Sequence, residues 1–152
     1  MSLIFRNLKI EDYKQYSKLD ELEIIFEKYV SFLQEVLNDN HLMIVGEKDG
    51  ELVAVGTLFV QEYLALPVSI CPGCRQLGVK TGYIENIFVK PSHQKKRYGE
   101  KIVEHLVQIA RSKPCFNITL NCSPELEYFY KKNGFKKDSD ICMAINIKSA
   151  CT

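Results

Sequence analysis

Residues 83–110, YIENIFVKPSHQKKRYGEKIVEHLVQIA, place a strand, a basic loop and a helix in direct succession. The first segment, YIENIFVKP, predicts a strand that ends at Pro91. From Gly99 onward the period changes, and one helical face collects the apolar residues Ile102, Val103, Leu106, Ile109 and Ala110. The amides in the first turn of a helix have no internal acceptors, so this succession of elements is able to bind an anion.

The loop itself, HQKKRYG at residues 93–99, leaves its function open when it is considered alone. Phosphate-binding loops usually contain several glycines, which let the backbone approach the phosphate closely or adopt positive φ. Here Gly99 is the one glycine, and Lys95, Lys96 and Arg97 precede it. The residues are therefore consistent with a phosphate cradle and also with a solvated basic turn before a helix.

The rest of the chain predicts a mixed sheet with helices on its faces. Before the quoted stretch we expect a short strand, two helical stretches and a hairpin turning at Asp49 and Gly50, in the segments 3–8, 10–19, 20–38 and 41–66. The Pro- and Gly-rich residues 67–82 predict a loop or a twisted extension. After the stretch we expect a strand at 116–121, a helix at 123–134 and a final strand, ICMAINI, at 141–147. This order of elements belongs to the α/β (α+β) class.

Length and charge limit the kind of protein. A chain of 152 residues with 46% hydrophobic content predicts a single domain over residues 1–152. Its net charge of +1 gives no overall attraction to nucleic acid or to an anionic membrane. The chain reaches Glu11 and Asp12 too early for a signal peptide, and no apolar run approaches the roughly 18 residues of a membrane span. We therefore expect a cytoplasmic protein.

The cysteines predict neither a disulfide scaffold nor a metal site. Six cysteines in a chain with a full apolar core are expected to be small buried hydrophobes or free thiols. Cys71 and Cys74 have the spacing of zinc ligands, but a structural site needs two more, and no second CxxC or HxxxH exists. A metal or redox function would require a partner such as Cys115 or Cys122, brought in by the fold or by another subunit.

Several segments resemble the GNAT family of acetyl-CoA-dependent N-acetyltransferases. QKKRYG after IFVKP resembles the family's Gln/Arg-x-x-Gly-x-Gly signature. GYIEN, KIVEHLVQIARSKPCF, LNCSPE and FYKKNGFKK, within residues 82–135, resemble segments of the members that acetylate an amino-sugar phosphate. FRNLKIEDY and ELVAVGTLFVQE also resemble their counterparts. The resemblance implies the GNAT acyltransferase fold, in which helices flank a mixed, mostly antiparallel central sheet with splayed central strands.

The resemblance implies an acetyl-CoA site and favours the cradle over the solvated turn. In this family the loop amides hold the pyrophosphate, and the preceding strand pairs with the pantetheine arm. Position by position, the arm is expected to lie along Ile87, Phe88 and Val89. The rest of the implied cofactor set is Gln94, Lys95, Lys96, Arg97, Tyr98, Gly99, Glu100 and Tyr130.

The implied reaction is direct attack of a substrate amine on the thioester, which requires a neutral amine, a polarised carbonyl and a proton donor for the thiolate. Tyr130 matches the family tyrosine near the sulfur, although it is also consistent with a core aromatic. Glu85 shares a face with Tyr83, Ile87 and Val89 by the period of two, which predicts partial desolvation and suits a base or a sugar-hydroxyl acceptor. A solvated or ion-paired Glu85 is the alternative.

Four positions depart from the family pattern. Asn86 and Asn121, also in the implied catalytic set, stand where the most similar members carry acids, and asparagine cannot accept a proton. Arg97 occupies the signature's first glycine position, where a left-handed backbone costs roughly 1–2 kcal/mol and a bond from Arg97 to phosphate would offset it. Leu126 replaces an asparagine expected against the cofactor.

The implied acceptor is the 2-amino group of glucosamine 6-phosphate, an amino-sugar phosphate whose acetylation leads toward UDP-N-acetylglucosamine. Another amine and a non-catalytic acetyl-CoA-binding protein remain as alternatives, and the two asparagines favour the first of them. Basic residues that would hold the sugar phosphate are candidates by location alone: Arg75, Lys80, Lys131 and Lys132. The resemblance also implies a homodimer, in which ICMAINI would serve as an interface strand, although it is equally consistent with a core strand.

Overall fold

The computed structural model describes residues 2–19, 21–63 and 79–147. They belong to two compact units, residues 1–120 and 121–152. The first unit contains β1 (Ile4–Asn7), α1 (Tyr13–Leu19), α2 (Phe26–Glu35), β2 (His41–Lys48), β3 (Glu51–Tyr63), β4 (Val79–Val89), α3 (Tyr98–Ser112) and β5 (Cys115–Thr119). The second contains α4 (Glu127–Lys132). Short 3₁₀ turns lie at Ile10–Asp12, Pro91–His93 and Pro124–Leu126.

The five described strands form one sheet in the order β1-β2-β3-β4-β5. The first three pairings are antiparallel and the β4–β5 pairing is parallel. This confirms the predicted mixed, mostly antiparallel sheet. The predicted hairpin is also confirmed, because Asp49 and Gly50 join β2 to β3 with φ values of 51° and 80°. Two successive positive φ values suit the twist of a tight antiparallel turn.

The sheet opens between β4 and β5. Pairing of these strands ends at Tyr83 and Thr119. On its other side, β4 remains paired with β3 as far as Val89. Residues 84–89 therefore present an edge whose backbone groups are not used by β5, which confirms the predicted splay of the central strands.

Helix α3 covers one face of the sheet, and helices α1 and α2 cover the other. On the α3 face, Ile102, Val103, Leu106 and Ala110 are buried, as the helical spacing predicts. The other face is filled by the cluster Leu8, Leu19, Tyr29, Met43, Val45, Leu52 and Val55. Gly56 permits a close fit on the α3 side, because a Cβ there would lie 2.9 Å from the Leu106 Cδ1 atom. The core thus fixes the position of α3 over β3 and β4.

The predicted final strand is wrong. Residues 141–147 have no regular secondary structure, and Ile141, Met143, Ile145 and Ile147 are 82–89% exposed. Alternating apolar residues favour a strand, but a strand also needs a neighbour to accept its backbone hydrogen bonds. Within the described residues of the second unit, 121–147, no strand supplies these acceptors.

Other differences concern the bounds of elements. Residues 79–82, predicted as part of a loop or a twisted extension, are the beginning of β4, because β3 extends far enough to pair with them. Residues 67–78 of that prediction, including Arg75 and the Cys71–Cys74 pair, lie outside the described residues. The second helical stretch begins at Phe26 and not at residue 20, and the helix predicted at 123–134 is reduced to Pro124–Leu126 and α4.

Candidate active site

Strand β4 contains a β-bulge at the point where the sheet opens. Thr57 pairs with Glu85, and Val55 pairs with Phe88, so Gly56 alone faces two residues of β4. One of them, Asn86, has a left-handed backbone with φ 54°. Asparagine adopts this region more readily than most residues. The bulge leaves one extra residue of β4 outside the regular hydrogen-bond ladder.

The bulge reverses the alternation of side chains along β4. Ile87 points toward α3, since its Cδ1 atom lies 2.8 Å from where a Cβ at Gly56 would be, beside Leu106. Phe88 packs instead against the buried cluster of the opposite face. The prediction that Glu85, Ile87 and Val89 share one face is therefore wrong, because the period of two is broken at the bulge.

Glu85 and Asn86 are both exposed. The predicted partial desolvation of Glu85 is therefore wrong, and the alternative of a solvated Glu85 agrees with its exposure. The cross-strand neighbour Thr57 is buried, at 2% exposure. The solvated carboxylate of Glu85 on β4 is thus paired with the buried hydroxyl of Thr57 on β3, at the opening between β4 and β5.

The loop before α3 has the backbone shape of an anion cradle. Lys95 and Arg97 have φ values of 63° and 62°, so two residues of this short loop are left-handed. Backbone of this kind turns successive N–H groups toward one concavity, as in other anion sites. Arg97 is the N-cap of α3, and no side-chain hydrogen bond caps this helix terminus. The first-turn amides, which have no acceptor within the helix, therefore lie next to the concavity.

Three side chains of the loop make hydrogen bonds within the protein. The Arg97 guanidinium donates to both carboxylate oxygens of Glu100, over 2.8 and 3.1 Å. The guanidinium that was considered as a phosphate ligand is therefore paired with a carboxylate of its own helix. The Gln94 amide donates to the Val89 carbonyl oxygen, and buried Tyr98 accepts a hydrogen bond from Lys48 Nζ. The side chains of Lys95 and Lys96 are exposed.

The second unit contains the other predicted catalytic residues. Tyr130 is buried, with Phe129 and Phe135 at ring-centroid distances of 5.0 and 5.8 Å. Burial raises the pKa of Tyr130 above its ordinary value, and the nearby Cys122 adds to the shift. The phenol is therefore protonated at neutral pH and able to donate. Asn121 is exposed, with its amide nitrogen 3.8 Å from the sulfur of Cys142.

Some features of the site were not predicted. The bulge at Asn86 was missed, although a glycine inside a strand, here Gly56, often marks a bulge or a close approach. Leu126, which replaces an asparagine expected against the cofactor, is exposed in its 3₁₀ turn.

Among residues 2–19, 21–63 and 79–147, no three His, Cys, Asp or Glu side chains are grouped to hold a metal ion. No helix in the same described ranges is long and apolar enough to cross a membrane.

A splayed sheet, a bulged strand and an amide-lined loop before a helix define an acetyltransferase of a known family. Residues 4–135 match the acetyltransferase (GNAT) family model, and the chain belongs to this family. Among characterised proteins, it is 32% identical over 143 residues to the glucosamine 6-phosphate N-acetyltransferase of Candida albicans. That alignment covers 87% of this chain and 88% of the relative.

Solved structures share the same fold. The structure of glucosamine-6-phosphate N-acetyltransferase from Arabidopsis thaliana superposes with a TM-score of 0.76 at 24% identity, covering 97% of this chain and all of that one. A predicted acetyltransferase of Clostridium acetobutylicum, solved with acetyl-CoA, superposes with a TM-score of 0.70 at 18% identity. That superposition covers 96% of this chain and 97% of the other. At these identities the likeness concerns the fold.

Proposed function

We propose that this chain transfers the acetyl group of acetyl-CoA to the 2-amino group of glucosamine 6-phosphate. The observation that carries the proposal is the continuity of the open β4 edge with the left-handed loop at the start of α3. An extended cofactor with a diphosphate at one end and a peptide-like arm at the other matches both features. The similarity to the Candida albicans enzyme over 88% of its length supports this acceptor.

The amides of the loop would bind the pyrophosphate. The proposed set is Gln94, Lys95, Lys96, Arg97, Tyr98, Gly99 and Glu100, of which Tyr98 contributes only its backbone because its side chain is buried. The pantetheine arm would then extend along the edge of β4 that β5 leaves open, at Ile87, Phe88 and Val89. Backbone pairing with the arm does not depend on the direction of these side chains, so the reversal at the bulge does not prevent it.

The bulge would provide the electrophilic assistance. An N–H that a bulge removes from the ladder is available to the thioester carbonyl, and a fixed donor of this kind stabilises the developing oxyanion. Glu85, directly before the bulge, is proposed to remove a proton from the substrate ammonium, either directly or through water. The neutral amine then attacks the carbonyl carbon, the C–S bond breaks as the amide forms, and the excess proton on the nitrogen passes to water.

Tyr130 is proposed to protonate the departing CoA thiolate. Its raised pKa keeps the phenol protonated at the pH at which the amine attacks. Asn86 and Asn121 would act as hydrogen-bonding groups and not as bases. We also propose that residues 1–152 act as a single domain, which is supported by a family match that continues across the boundary between the two units.

The protein is proposed to be a cytoplasmic homodimer whose product supplies UDP-N-acetylglucosamine synthesis. The alternating apolar side chains of residues 141–147 are exposed in the isolated chain. An extended apolar segment of this kind is stabilised by adding to a strand of another copy. Sedimentation of the wild-type protein and of an Ile145→Lys variant tests this, with a dimer and a monomer expected. A wild-type monomer at micromolar concentration would contradict it.

Acetyl transfer is tested by following free CoA thiol with three acceptors: glucosamine 6-phosphate, glucosamine and spermidine. We expect kcat/KM for the sugar phosphate to exceed that for glucosamine by at least about tenfold, because a bound phosphate adds charge-assisted contacts. A higher kcat/KM for spermidine would show that the acceptor is a different kind of amine. Tight binding of acetyl-CoA without turnover of any amine would favour a non-catalytic binding protein.

A further inference from the structure

The side chain of Thr57 carries a buried polar group that the fold does not use. Its hydroxyl oxygen has no hydrogen-bond partner among the described residues, and the residue is 2% exposed. Leaving a buried hydroxyl unpaired costs free energy, so such groups in folded proteins usually have a partner in another state or a bound water. Valine has nearly the same shape and would fill the position without this cost.

The neighbours of Thr57 in the sheet limit which group is able to accept a hydrogen bond from its hydroxyl. In the sheet it pairs on one side with Met43, whose side chain is buried and apolar. On the other side it pairs with Glu85, the residue proposed as the base. Side chains directly opposite each other in an antiparallel pair have Cβ atoms about 4.5–5.5 Å apart. Of the two direct neighbours, Glu85 offers a strong hydrogen-bond acceptor, whereas the thioether sulfur of Met43 is a weak one.

The position relative to the bulge strengthens the connection. Thr57 on β3 and Glu85 on β4 form the last regular pair before the bulge. The next residue of β4, Asn86, has the left-handed backbone. The Glu85 side chain is exposed, and its torsions are free to change without repacking of the core. A carboxylate that swings toward Thr57 remains at the opening between β4 and β5.

We infer that Thr57 is a positioning residue that donates a hydrogen bond to the Glu85 carboxylate, directly or through one water, when substrates fill the site. This bond holds the carboxylate in the direction of the incoming ammonium and leaves its second oxygen free to accept the proton. The inference rests on the proposed function, because it concerns the group that deprotonates the amine.

Thr57→Val and Thr57→Ser form the matched pair that tests it. Valine keeps the shape and removes the hydroxyl, whereas serine keeps the hydroxyl. We expect Thr57→Val to lower kcat about tenfold, the usual effect of losing one hydrogen bond to a charged group. The KM for acetyl-CoA is expected to stay within about twofold, since the cradle is unchanged. Thr57→Ser is expected to retain kcat within about threefold.

Stability distinguishes a positioning hydroxyl from a structural one. Because the hydroxyl is unpaired in the fold, Thr57→Val is expected to have a urea midpoint equal to or above that of the wild type. A lower midpoint would show that the hydroxyl has a structural partner and would overturn the inference. Wild-type kcat in Thr57→Val would overturn it equally.

A double-mutant cycle with Glu85→Gln separates the inference from the proposed function. In the Glu85→Gln background, Thr57→Val is expected to change kcat by less than about twofold, because the two residues act together. An undiminished tenfold effect in that background would refute the coupling. If Glu85→Gln alone retained wild-type kcat, the assignment of the base would fail with the inference. An impaired Glu85→Gln with an unimpaired Thr57→Val would reject the inference alone.

Discussion

Arg97 provides a quantitative test of the cradle, because it holds a left-handed backbone at a position that glycine would occupy without strain. Its φ is 62°, and its guanidinium pairs with Glu100 while the side chain remains 73% exposed. Arg97→Ala and Arg97→Gly both delete this ion pair. The difference in unfolding free energy between the two variants therefore isolates the backbone contribution.

The expected difference follows from two opposing effects. A non-glycine residue in the left-handed region costs roughly 1–2 kcal/mol, and glycine avoids this cost. Glycine also loses more backbone entropy on folding, about 0.5–1 kcal/mol relative to alanine. Arg97→Gly is therefore expected to be more stable than Arg97→Ala by about 1 kcal/mol. The lost ion pair lowers the stability of both variants equally and only slightly, because the Arg97 side chain is exposed.

Urea unfolding measures this difference directly. Both variants are expected to have the m-value of the wild type, so that the midpoints report stability alone. For a chain of this size, 1 kcal/mol corresponds to a difference in melting temperature of about 3 °C. If Arg97→Ala were as stable as Arg97→Gly or more stable, the backbone at this position would not be left-handed. The proposed shape of the cradle would then be wrong.

Three further predictions concern other parts of the molecule. Glu100→Gln is expected to tighten acetyl-CoA binding about threefold in low-salt calorimetry, because a carboxylate near the first-turn amides competes with the pyrophosphate; weaker binding would contradict this. Gly56→Ala is expected to destabilise the protein by about 1–3 kcal/mol in urea unfolding, since the added methyl would overlap Ile87 and Leu106. A combined Ile87→Val change should restore part of the loss, and failure to do so would refute the contact. Burial raises the pKa of Tyr29, so the stability due to this residue is present below pH 10 and is lost as the pH rises beyond it. Tyr29→Phe should therefore lose less stability than the wild type between pH 9 and about pH 11 in guanidinium titrations, and equal losses would exclude Tyr29 as the source.

Local sequence signals predicted the elements that depend on neighbouring residues. The turn at Asp49 and Gly50 requires positive φ, which these residue types accept, and the hairpin formed there. Helix α3 followed its apolar spacing to within one residue at its start. Arg97, where a left-handed backbone was considered only as a condition, has φ 62°.

Features that depend on distant parts of the chain were not predicted. The bulge at Asn86 results from the register between β3 and β4, and no pattern within β4 alone reveals that register. The exposure of Glu85 was misjudged for the same reason, because the face was inferred from unbroken alternation. Residues 141–147 have a strand's pattern without a described partner, and only a partner determines whether that pattern forms a strand.

The most direct test of the account is a crystal structure of the full chain with CoA and glucosamine 6-phosphate. The account predicts the pyrophosphate on the amides of residues 94–100 and the pantetheine arm along residues 87–89. It also predicts the sugar amine at the bulge, with Glu85 within hydrogen-bond distance of it directly or through one water. CoA bound elsewhere on the protein, with this loop and strand edge unoccupied, would contradict it.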